Sequence, residues 1–481
     1  MRFKLSVSLF FFSLLFLANT VKGFLIVPFL VGMILFFLSS KVRFDLIKVI
    51  FILLMLSLPV ERGIRGFDIM VVESLPMVNL PGYQFYFGIS LKLIFGLLLL
   101  LLILKERWID KEKWLEKLNS VEMISLFIFL GLTIVSVFLS NNWLIGIYGL
   151  VRIFFGVWLF LLGRKYLRNL ELFSWFKWIV VGVLMFEGII SGLQWLKGGV
   201  LGRHIETTAR VVPFGRVTYE SDLLYRTVGT TGHPTFLASL LTMLIPVAFG
   251  FWFQKLISKK QLGFNWENLL IGVSLLLGIL GVITSFSRSS WLAVALMIGI
   301  MSWLGFKKLN WKLLIRKSWW LMSIGVGVII WLSAEIILRL SSFRSIFSLG
   351  TGKDRWLLIK EAVEMIKAYP VWGIGLNNFT AALAQSDLTG LSKRLLFPVH
   401  NTFVLLMSEL GLLPMLFFIF FVGWMLVKTA RTSFKNIFLF GVWFGCLSYV
   451  FNSQFHALFS QDASFDYFML MLGLLASRSK L

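Results

Sequence analysis

Cysteine and histidine are scarce in this chain of 481 residues, and their scarcity narrows the chemistry open to it. The single cysteine, Cys446, lies in an apolar run and permits neither an internal disulfide nor a cysteine metal cluster. The four histidines lack metal-binding spacing, such as the pattern HExxH. We therefore expect no metal held by the protein and no cofactor.

Charge is also scarce, since only 14% of the residues are charged while 58% are hydrophobic. A soluble domain is about half apolar and a quarter charged, so this surplus cannot be hidden in one soluble core. The net charge of +23 would indicate nucleic acid in a soluble protein. Here the basic residues stand mostly in short tracts between apolar runs, which indicates membrane topology and anionic lipid headgroups. We expect membrane lipids as partners and no nucleic acid.

Apolar runs of about 16 to 22 residues recur along the chain, each close to the length that crosses a bilayer as a helix. They predict an all-α, polytopic integral membrane protein with about 12–14 transmembrane helices, treated as one domain over residues 1–481. The first run follows Arg2 and Lys4 and resembles a signal peptide, but no clear cleavage site follows, so we favour an uncleaved first span. The predicted spans are 5–20, 24–39, 44–60, 83–104, 121–140, 143–162, 172–196, 234–253, 268–286, 290–305, 318–338, 400–427, 435–452 and 463–477.

Alternate loops between these spans are basic, which predicts that both termini are cytoplasmic. The short loops on the other side carry little charge. Two long loops also fall on the outer side, a first at residues 197–234 and a large one at residues 339–399. Both contain several arginines, against the topological bias. The basic loops hold Lys41 and Arg43, Lys105 to Lys117, Arg164 to Arg168, Lys255 to Lys260, Lys307 to Lys317, Lys428 to Lys435, and Arg478 with Lys480.

The large outer loop contains a predicted amphipathic helix after Thr351, which we expect to cap it. Asp354 suits the positive end of the helix dipole, and Pro370 should stop the helix. The helix is too short and too charged to span the membrane. The apolar positions are Trp356, Ile359, Val363 and Ile366, with Leu358, Ala362 and Met365 beside them, and the predicted polar positions are Lys353, Lys360, Glu361, Glu364 and Lys367.

Four residues at the predicted outer surface could carry chemistry. Arg288 lies between two apolar runs, Arg355 opens the amphipathic helix, Arg226 precedes a glycine-rich turn, and His400 begins an apolar span. Each also has a structural explanation, such as an arginine snorkelling from a turn or a histidine satisfied at a helix start. His204, His233 and His456 are weaker candidates on the same side.

The four candidates are more informative together than singly. Arginines at headgroup depth suit a phosphate-bearing lipid. A histidine near them is held neutral by repulsion, which suits a general base at neutral pH. This combination favours group transfer from a diphosphate leaving group.

At these residues the chain resembles the superfamily of O-antigen ligases and O-antigen polymerases, which are bacterial membrane glycosyltransferases. The resemblance is close over about residues 226 to 411, where four short motifs come in the family's order. The large outer loop stands between the second arginine motif and the His-Asn motif, as in the family. The matching segments are residues 226–238 (RTVGTTGHPTFLA), 284–291 (TSFSRSSW), 354–356 (DRW) with 369–379 (YPVWGIGLNNF), and 398–403 (PVHNTF) with 409–411 (ELG).

The resemblance implies a glycan moved from undecaprenyl diphosphate to a hydroxyl acceptor on the outer face of a bacterial plasma membrane, without a metal. The acceptor is a glycolipid in ligases and another lipid-linked repeat in polymerases. The family's two diphosphate-binding arginines match Arg288 and Arg355, its catalytic histidine matches His400, and Arg226 matches a further binding position. The family often has asparagines where this chain has residues 232–235 (GHPT).

Two alternatives stay open. One is a sister enzyme that transfers an oligosaccharide to protein hydroxyls. The other is a flippase for the same lipid-linked glycan, which should show related halves around a central basic cavity; we find no internal repeat. The sequence does not separate ligase from polymerase, and it leaves open the sugar, the chain length and the oligomeric state.

Overall fold

The computed structural model describes most of the chain from residue 46 onward. The described residues are 46–59, 63–68, 86–110, 120–201, 216–217, 224–257, 266–306, 351–386, 397–459 and 463–478, with scattered positions between 319 and 337. The predicted spans 5–20 and 24–39, the question of a cleaved leader, and His204 therefore lie outside the described residues. The predicted span 318–338 is described only at scattered positions.

The described part of the chain is almost wholly helical. Two short antiparallel strand pairs accompany the helices: β1 (Gly63–Asp68) with β2 (Tyr86–Ser90), and β3 (Arg216–Val217) with β4 (Leu224–Tyr225). The helices before residue 339 are α1 (Leu46–Ser57), α2 (Leu91–Asp110), α3 (Val121–Phe138), α4 (Trp143–Tyr166), α5 (Leu170–Lys197), α6 (Pro234–Ile257), α7 (Trp266–Thr284) and α8 (Arg288–Phe306). Those that follow are α9 (Thr351–Ala368), α10 (Phe379–Ser386), α11 (Thr402–Leu410), α12 (Leu412–Lys435), α13 (Ile437–Asn452) and α14 (Ala463–Arg478).

This architecture confirms the predicted all-α polytopic membrane fold. Within the described residues, six helices are long and apolar enough to cross a membrane, namely α3, α4, α5, α6, α7 and α12. Shorter apolar segments lie in α1, α2, α8 and α13. Most of these helices share one large apolar core, and α9 and α10 contribute to a second, smaller one.

Close backbone contacts join the helices of the bundle. Helices α6 and α13 run antiparallel, and a Cβ added to Gly441 would overlap the carbonyl oxygen of Pro246. Helices α4 and α14 run parallel, and a Cβ added to Gly473 would overlap the carbonyl oxygen of Phe160. Small residues at such crossings are characteristic of helix packing in lipid, where close van der Waals contact drives association.

One end of the bundle carries an ionic cluster. Glu122, at the start of α3, accepts bonds of 2.9 Å at each carboxylate oxygen from Lys428, and Arg164 lies 3.8 Å away. The carboxylate of Glu122 is buried, so these cations compensate a charge that would otherwise be costly there. We call this the basic end and the opposite end the site end.

Two predicted spans differ from the observed helices. The predicted span 83–104 begins later, because residues 86–90 form β2 and the helix starts at Leu91. The predicted span 400–427 is two helices, α11 and α12, because the helix is interrupted at Gly411, whose φ of 85° is in the left-handed region. Hydropathy does not detect this break, since the residues on both sides of it are apolar.

The amphipathic helix α9 starts at Thr351 and ends at Ala368, close to the predicted bounds. Its packed face was predicted only in part. Leu358, Ala362 and Met365 are buried, whereas Trp356 is 58% exposed and Glu361, predicted on the polar face, is only 2% exposed. The buried trio belongs to a second, smaller core with Phe379, Leu383, Val399 and Leu405.

Candidate functional site

Arg226 lies in an extended segment that pairs with the end of α7. The backbone N–H of Thr227 donates to the carbonyl of Thr284 over 3.1 Å, and the hydroxyls of these two threonines lie 2.9 Å apart. The Nε of Arg226 donates to the carbonyl oxygen of Ser285 over 2.9 Å. The segment that carries Arg226 is therefore held against residues 284–285, which lead into the turn before Arg288.

Arg288 is the first residue of α8, directly after a tight turn between α7 and α8. In this turn Phe286 has a φ of 52° and is buried. A positive φ is costly for a bulky residue and persists only where the surroundings enforce it. Here the indole nitrogen of Trp291 donates to the carbonyl of Val282 over 2.9 Å and ties the two helices across the turn. The half-buried Arg288 is thus presented at the positive end of a helix dipole.

His456 lies between the Arg288 turn and the segment that carries His400. Its Nε2 is 2.8 Å from the hydroxyl of Ser289, and its backbone carbonyl accepts a bond of 2.7 Å from Thr402. The same threonine oxygen accepts from the backbone N–H of Leu458 over 2.9 Å. Sequence reasoning ranked His456 no higher than His204 or His233, because no motif surrounds it and its contacts come from residues far away along the chain.

His400 directly precedes α11 but does not cap it. The N-cap is Asn401, whose side-chain oxygen accepts from the backbone N–H groups of Phe403 and Val404 at 3.0 and 3.1 Å. The Nδ1 of His400 lies 3.1 Å from the carbonyl oxygen of Pro398. Because a carbonyl can only accept, Nδ1 carries the proton, and the lone pair of the neutral ring is on Nε2.

Arg355 lies in the first turns of α9, on the side that continues from Ala362. The small core on which α9 packs includes Val399, the residue before His400. The packing of α9 on this core therefore determines where Arg355 lies relative to the His400 side chain. Arg355 as a whole is exposed. Partial desolvation of its guanidinium group, and after it repulsion from Arg288, lowers its pKa.

Two further family-like segments meet behind this site. The backbone N–H of Ile374 donates to the carbonyl of Ser408 over 3.0 Å, and that of Gly375 donates to the carbonyl of Glu409 over 2.8 Å. The Glu409 carboxylate accepts from the backbone N–H of Phe379 over 3.2 Å. The glycine-rich segment after α9 is thereby fixed to the end of α11.

The electrostatics of the cluster keep its imidazoles neutral. Burial, and after it repulsion from Arg355, lowers the pKa of His400 from 6.5 to about 4. Burial and then repulsion from Arg226 lower the pKa of His233 to about 3. Burial, and after it repulsion from Arg355 and Arg226, brings the pKa of His456 well below 6.5. These effects link Arg288 to Arg355, Arg355 to His400 and His456, and Arg226 to His233 and His456.

His233 has a local structural role. It directly precedes α6, which starts at Pro234, and its Nδ1 accepts from the backbone N–H of Thr235 over 3.3 Å. A proline at the first helical position and a side-chain acceptor before it are common at a helix start. Since Nδ1 accepts, its neutral tautomer carries the proton on Nε2, the reverse of His400.

Among the residues that the structure describes, no group of three or more His, Cys, Asp or Glu side chains could hold a metal ion. The cluster instead combines guanidinium groups with neutral imidazoles and serine hydroxyls. Such a set can bind an anion and accept a proton, and it lies at the site end, where α5 and α7 finish and α6 and α8 begin.

The fold and this cluster define a class: a polytopic α-helical membrane protein with a cluster of arginine and histidine side chains at one end of its bundle. Residues 273–419 match the family O-Antigen ligase (Wzy_C), which confirms the predicted resemblance over that segment. The match includes Arg288, Arg355 and His400, and it supports a membrane glycosyltransferase-like function with lipid-linked glycan substrates. No curated protein matches the chain.

Proposed function

We propose that this protein transfers a glycan from undecaprenyl diphosphate to a hydroxyl acceptor at the outer face of a bacterial inner membrane. The observation that carries the proposal is that His456 joins the turn of Arg288, through Ser289, to the segment of His400, through Thr402. Arg355 acts on both parts, since desolvation and then repulsion from Arg288 lower its own pKa, and burial and then its charge lower the pKa of His400. All three residues lie in the segment that matches O-Antigen ligase. The basic loops at the opposite end of the bundle favour an outward orientation of the site.

The arginines suit the leaving group. As the anomeric C–O bond to the diphosphate breaks, negative charge grows on the departing oxygens, and Arg288 and Arg355 stabilise it more in the transition state than in the ground state. Guanidinium groups are preferred for this because they stay charged and donate in a planar fork. Arg226 extends the same surface and is assigned to donor binding.

His400 suits the acceptor. Its Nδ1–H is engaged by the carbonyl of Pro398, so Nε2 is the atom that takes the proton from the attacking hydroxyl. The acceptor oxygen forms the new bond to the anomeric carbon, the diphosphate leaves with the electron pair, and the proton remains on the imidazole. A single displacement of this kind inverts the anomeric centre. No metal or cofactor is required by these steps.

The test is transfer by the purified protein in lipid nanodiscs, supplied with a glycan on undecaprenyl diphosphate and with candidate acceptors. We expect a product of inverted anomeric configuration and release of undecaprenyl diphosphate. Flipping of the lipid across a vesicle without glycan release would support a transporter and overturn the proposal. Modified peptide instead of glycolipid or glycan would indicate the protein-glycosylating alternative.

Glycan profiling of a deletion strain separates ligase from polymerase. Accumulation of unligated, lipid-linked polymer would identify a ligase, and accumulation of single unpolymerised repeats would identify a polymerase. An unchanged profile of every surface glycan would count against both.

A further inference from the structure

Two polar side chains of α5 are buried inside the helix bundle near the site end. Glu187 is 1% exposed and Gln194 is 0% exposed, although both stand in a helix that is long and apolar enough to cross a membrane. Polar and ionisable groups at such positions are expensive and are retained where they have specific partners. Their partners here are three consecutive residues of the loop that follows Arg226.

Gln194 makes three hydrogen bonds to the loop backbone. Its Oε1 accepts from the N–H groups of Val228 and Gly229 at 3.0 and 2.9 Å, and its Nε2 donates to the carbonyl of Gly229 over 3.0 Å. An amide is suited to this role because it offers an acceptor and a donor side by side. These bonds satisfy backbone N–H and carbonyl groups of buried loop residues.

Glu187 holds the next residue, two helical turns away on the same face of α5. Its carboxylate accepts from the backbone N–H of Thr230 over 2.8 Å and from the hydroxyl of the same threonine. Gly229 fits between the two anchors with a φ of 55°, and a Cβ there would overlap Glu187. The loop is therefore clamped in one backbone conformation.

The clamp continues directly into the site. Thr227 and Arg226 precede the clamped residues and bond to Thr284 and Ser285, which lead into the turn before Arg288. Holding residues 228–230 in place therefore also fixes Arg226 and Thr227, together with residues 284–285 to which they bond. The geometry joins α5, which carries no family-like motif, to the two arginine motifs.

We propose that Gln194 and Glu187 are positioning residues that orient Arg226 for the donor diphosphate. The inference rests on the proposed function, since it assigns to α5 the task of aligning one of its anion-binding arginines. It concerns residues that act through Arg226 and not by touching the substrate.

Ser191 provides a matched control. It lies between the two anchors on α5, is fully buried, and its hydroxyl has no hydrogen-bond partner among the residues that the structure describes. Ser191→Ala therefore removes a buried polar group from the same helix face and leaves the loop contacts intact. Gln194→Leu removes all three loop bonds at similar volume, and Glu187→Gln keeps an acceptor for the Thr230 N–H.

The experiment measures kcat and KM for the lipid-linked donor with purified variants of matched thermal stability. We expect Gln194→Leu to lower kcat/KM by up to about 100-fold, chiefly through the donor and not the acceptor, because small displacements of a charge-bearing group are costly. We expect Glu187→Gln to retain most activity and Ser191→Ala to match the wild type. The double variant Gln194→Leu/Arg226→Ala should be no worse than Arg226→Ala alone, because a residue that acts through Arg226 has no effect once Arg226 is gone.

Three results would overturn the inference: wild-type kinetics for Gln194→Leu, additive losses in the double variant, or wild-type kinetics for Arg226→Ala. If Gln194→Leu does not accumulate, Gln194→Met tests the same clamp, since it removes the amide and all three loop bonds with a flexible apolar side chain of similar length. Wild-type donor KM and kcat in that variant would then reject the clamp. An inactive wild-type protein in the same assay would instead refute the proposed function, so the two failures are distinguishable.

Discussion

At the scale of single residues, the structure separates the structural role at the start of α11 from the proposed chemical one. Asn401 caps the helix, so the helix start does not require a side chain from His400. The sequence alone could not make this distinction, because His400 and Asn401 are neighbours and either could have been the cap. Helix capping therefore does not explain the histidine at position 400, and His400 is kept as the candidate general base.

His400→Gln is the direct test of the general base. Glutamine keeps polarity and similar size but cannot take up the proton, so we expect transfer to fall by about 10²- to 10⁴-fold while donor binding is retained. Asn401→Ala is the contrasting variant, expected to lower stability by about 1 kcal/mol through loss of the cap. A folded His400→Gln protein with near wild-type turnover would remove the histidine from the mechanism.

The activity should also depend on pH in a specific direction. The pKa of His400 is lowered from 6.5 to about 4, so the neutral base is present above that pH and is lost as the pH falls through it. Single-turnover transfer should therefore stay level from neutral pH down to about pH 5 and decline below it. A decline centred at the ordinary histidine pKa would contradict the depressed value.

Arg288 and Arg355, the two arginines proposed to stabilise the leaving diphosphate, differ in exposure but should respond alike to substitution. Charge-assisted bonds contribute about 1.5–3 kcal/mol each, so Arg288→Ala or Arg355→Ala should cost roughly ten- to a hundred-fold in kcat/KM. Lysine in place of either should still impair transfer, because it keeps the charge and loses the planar fork. Full activity of an alanine variant at normal protein levels would exclude that arginine from the site.

At the scale of elements, the apolar stretch 400–427 contains a short helix, α11, and the start of a long helix, α12, which are separated by a break at Gly411. Gly411 has a φ of 85°, and a Cβ there would overlap the carbonyl oxygen of Val371. The break lets α11 pack in the small core that carries Val399, while α12 crosses the bundle.

Gly411→Ala should consequently destabilise the protein by about 1–3 kcal/mol, since a side chain is strained at that φ and has no room. Gly423→Ala is the control, because Gly423 lies within α12 and no atom of the described part of the chain comes within 4 Å of an added Cβ. That substitution should be neutral or slightly stabilising, as alanine is the better helix former. The stability of both variants is measured by heating the detergent-solubilised protein and recording the loss of soluble monomer. Equal stability of the two variants would show that the structure does not require glycine at the break.

At the scale of the whole molecule, the bundle has a basic end and a site end, and the orientation across the membrane is a prediction. A cysteine placed at Ser386, at the end of α10, should react with a membrane-impermeant thiol reagent in cells whose outer barrier, if any, is permeabilised. A cysteine at Asn310 should not react. The native Cys446 is buried and should contribute little background. The reverse labelling pattern would invert the orientation and refute an outward-facing site.

The sequence by itself determined the class of fold, most of the apolar helices, and the family resemblance now matched over residues 273–419. These properties follow from hydropathy and short motifs, which are local along the chain. Only the tertiary structure showed that His456 meets Ser289, that Glu361 is buried, and that the span predicted at 400–427 divides at Gly411. Contacts between Glu187 and Thr230, or between His456 and Ser289, join residues 43 and 167 positions apart. Such contacts depend on how helices pack in three dimensions, and no periodicity along the chain encodes them.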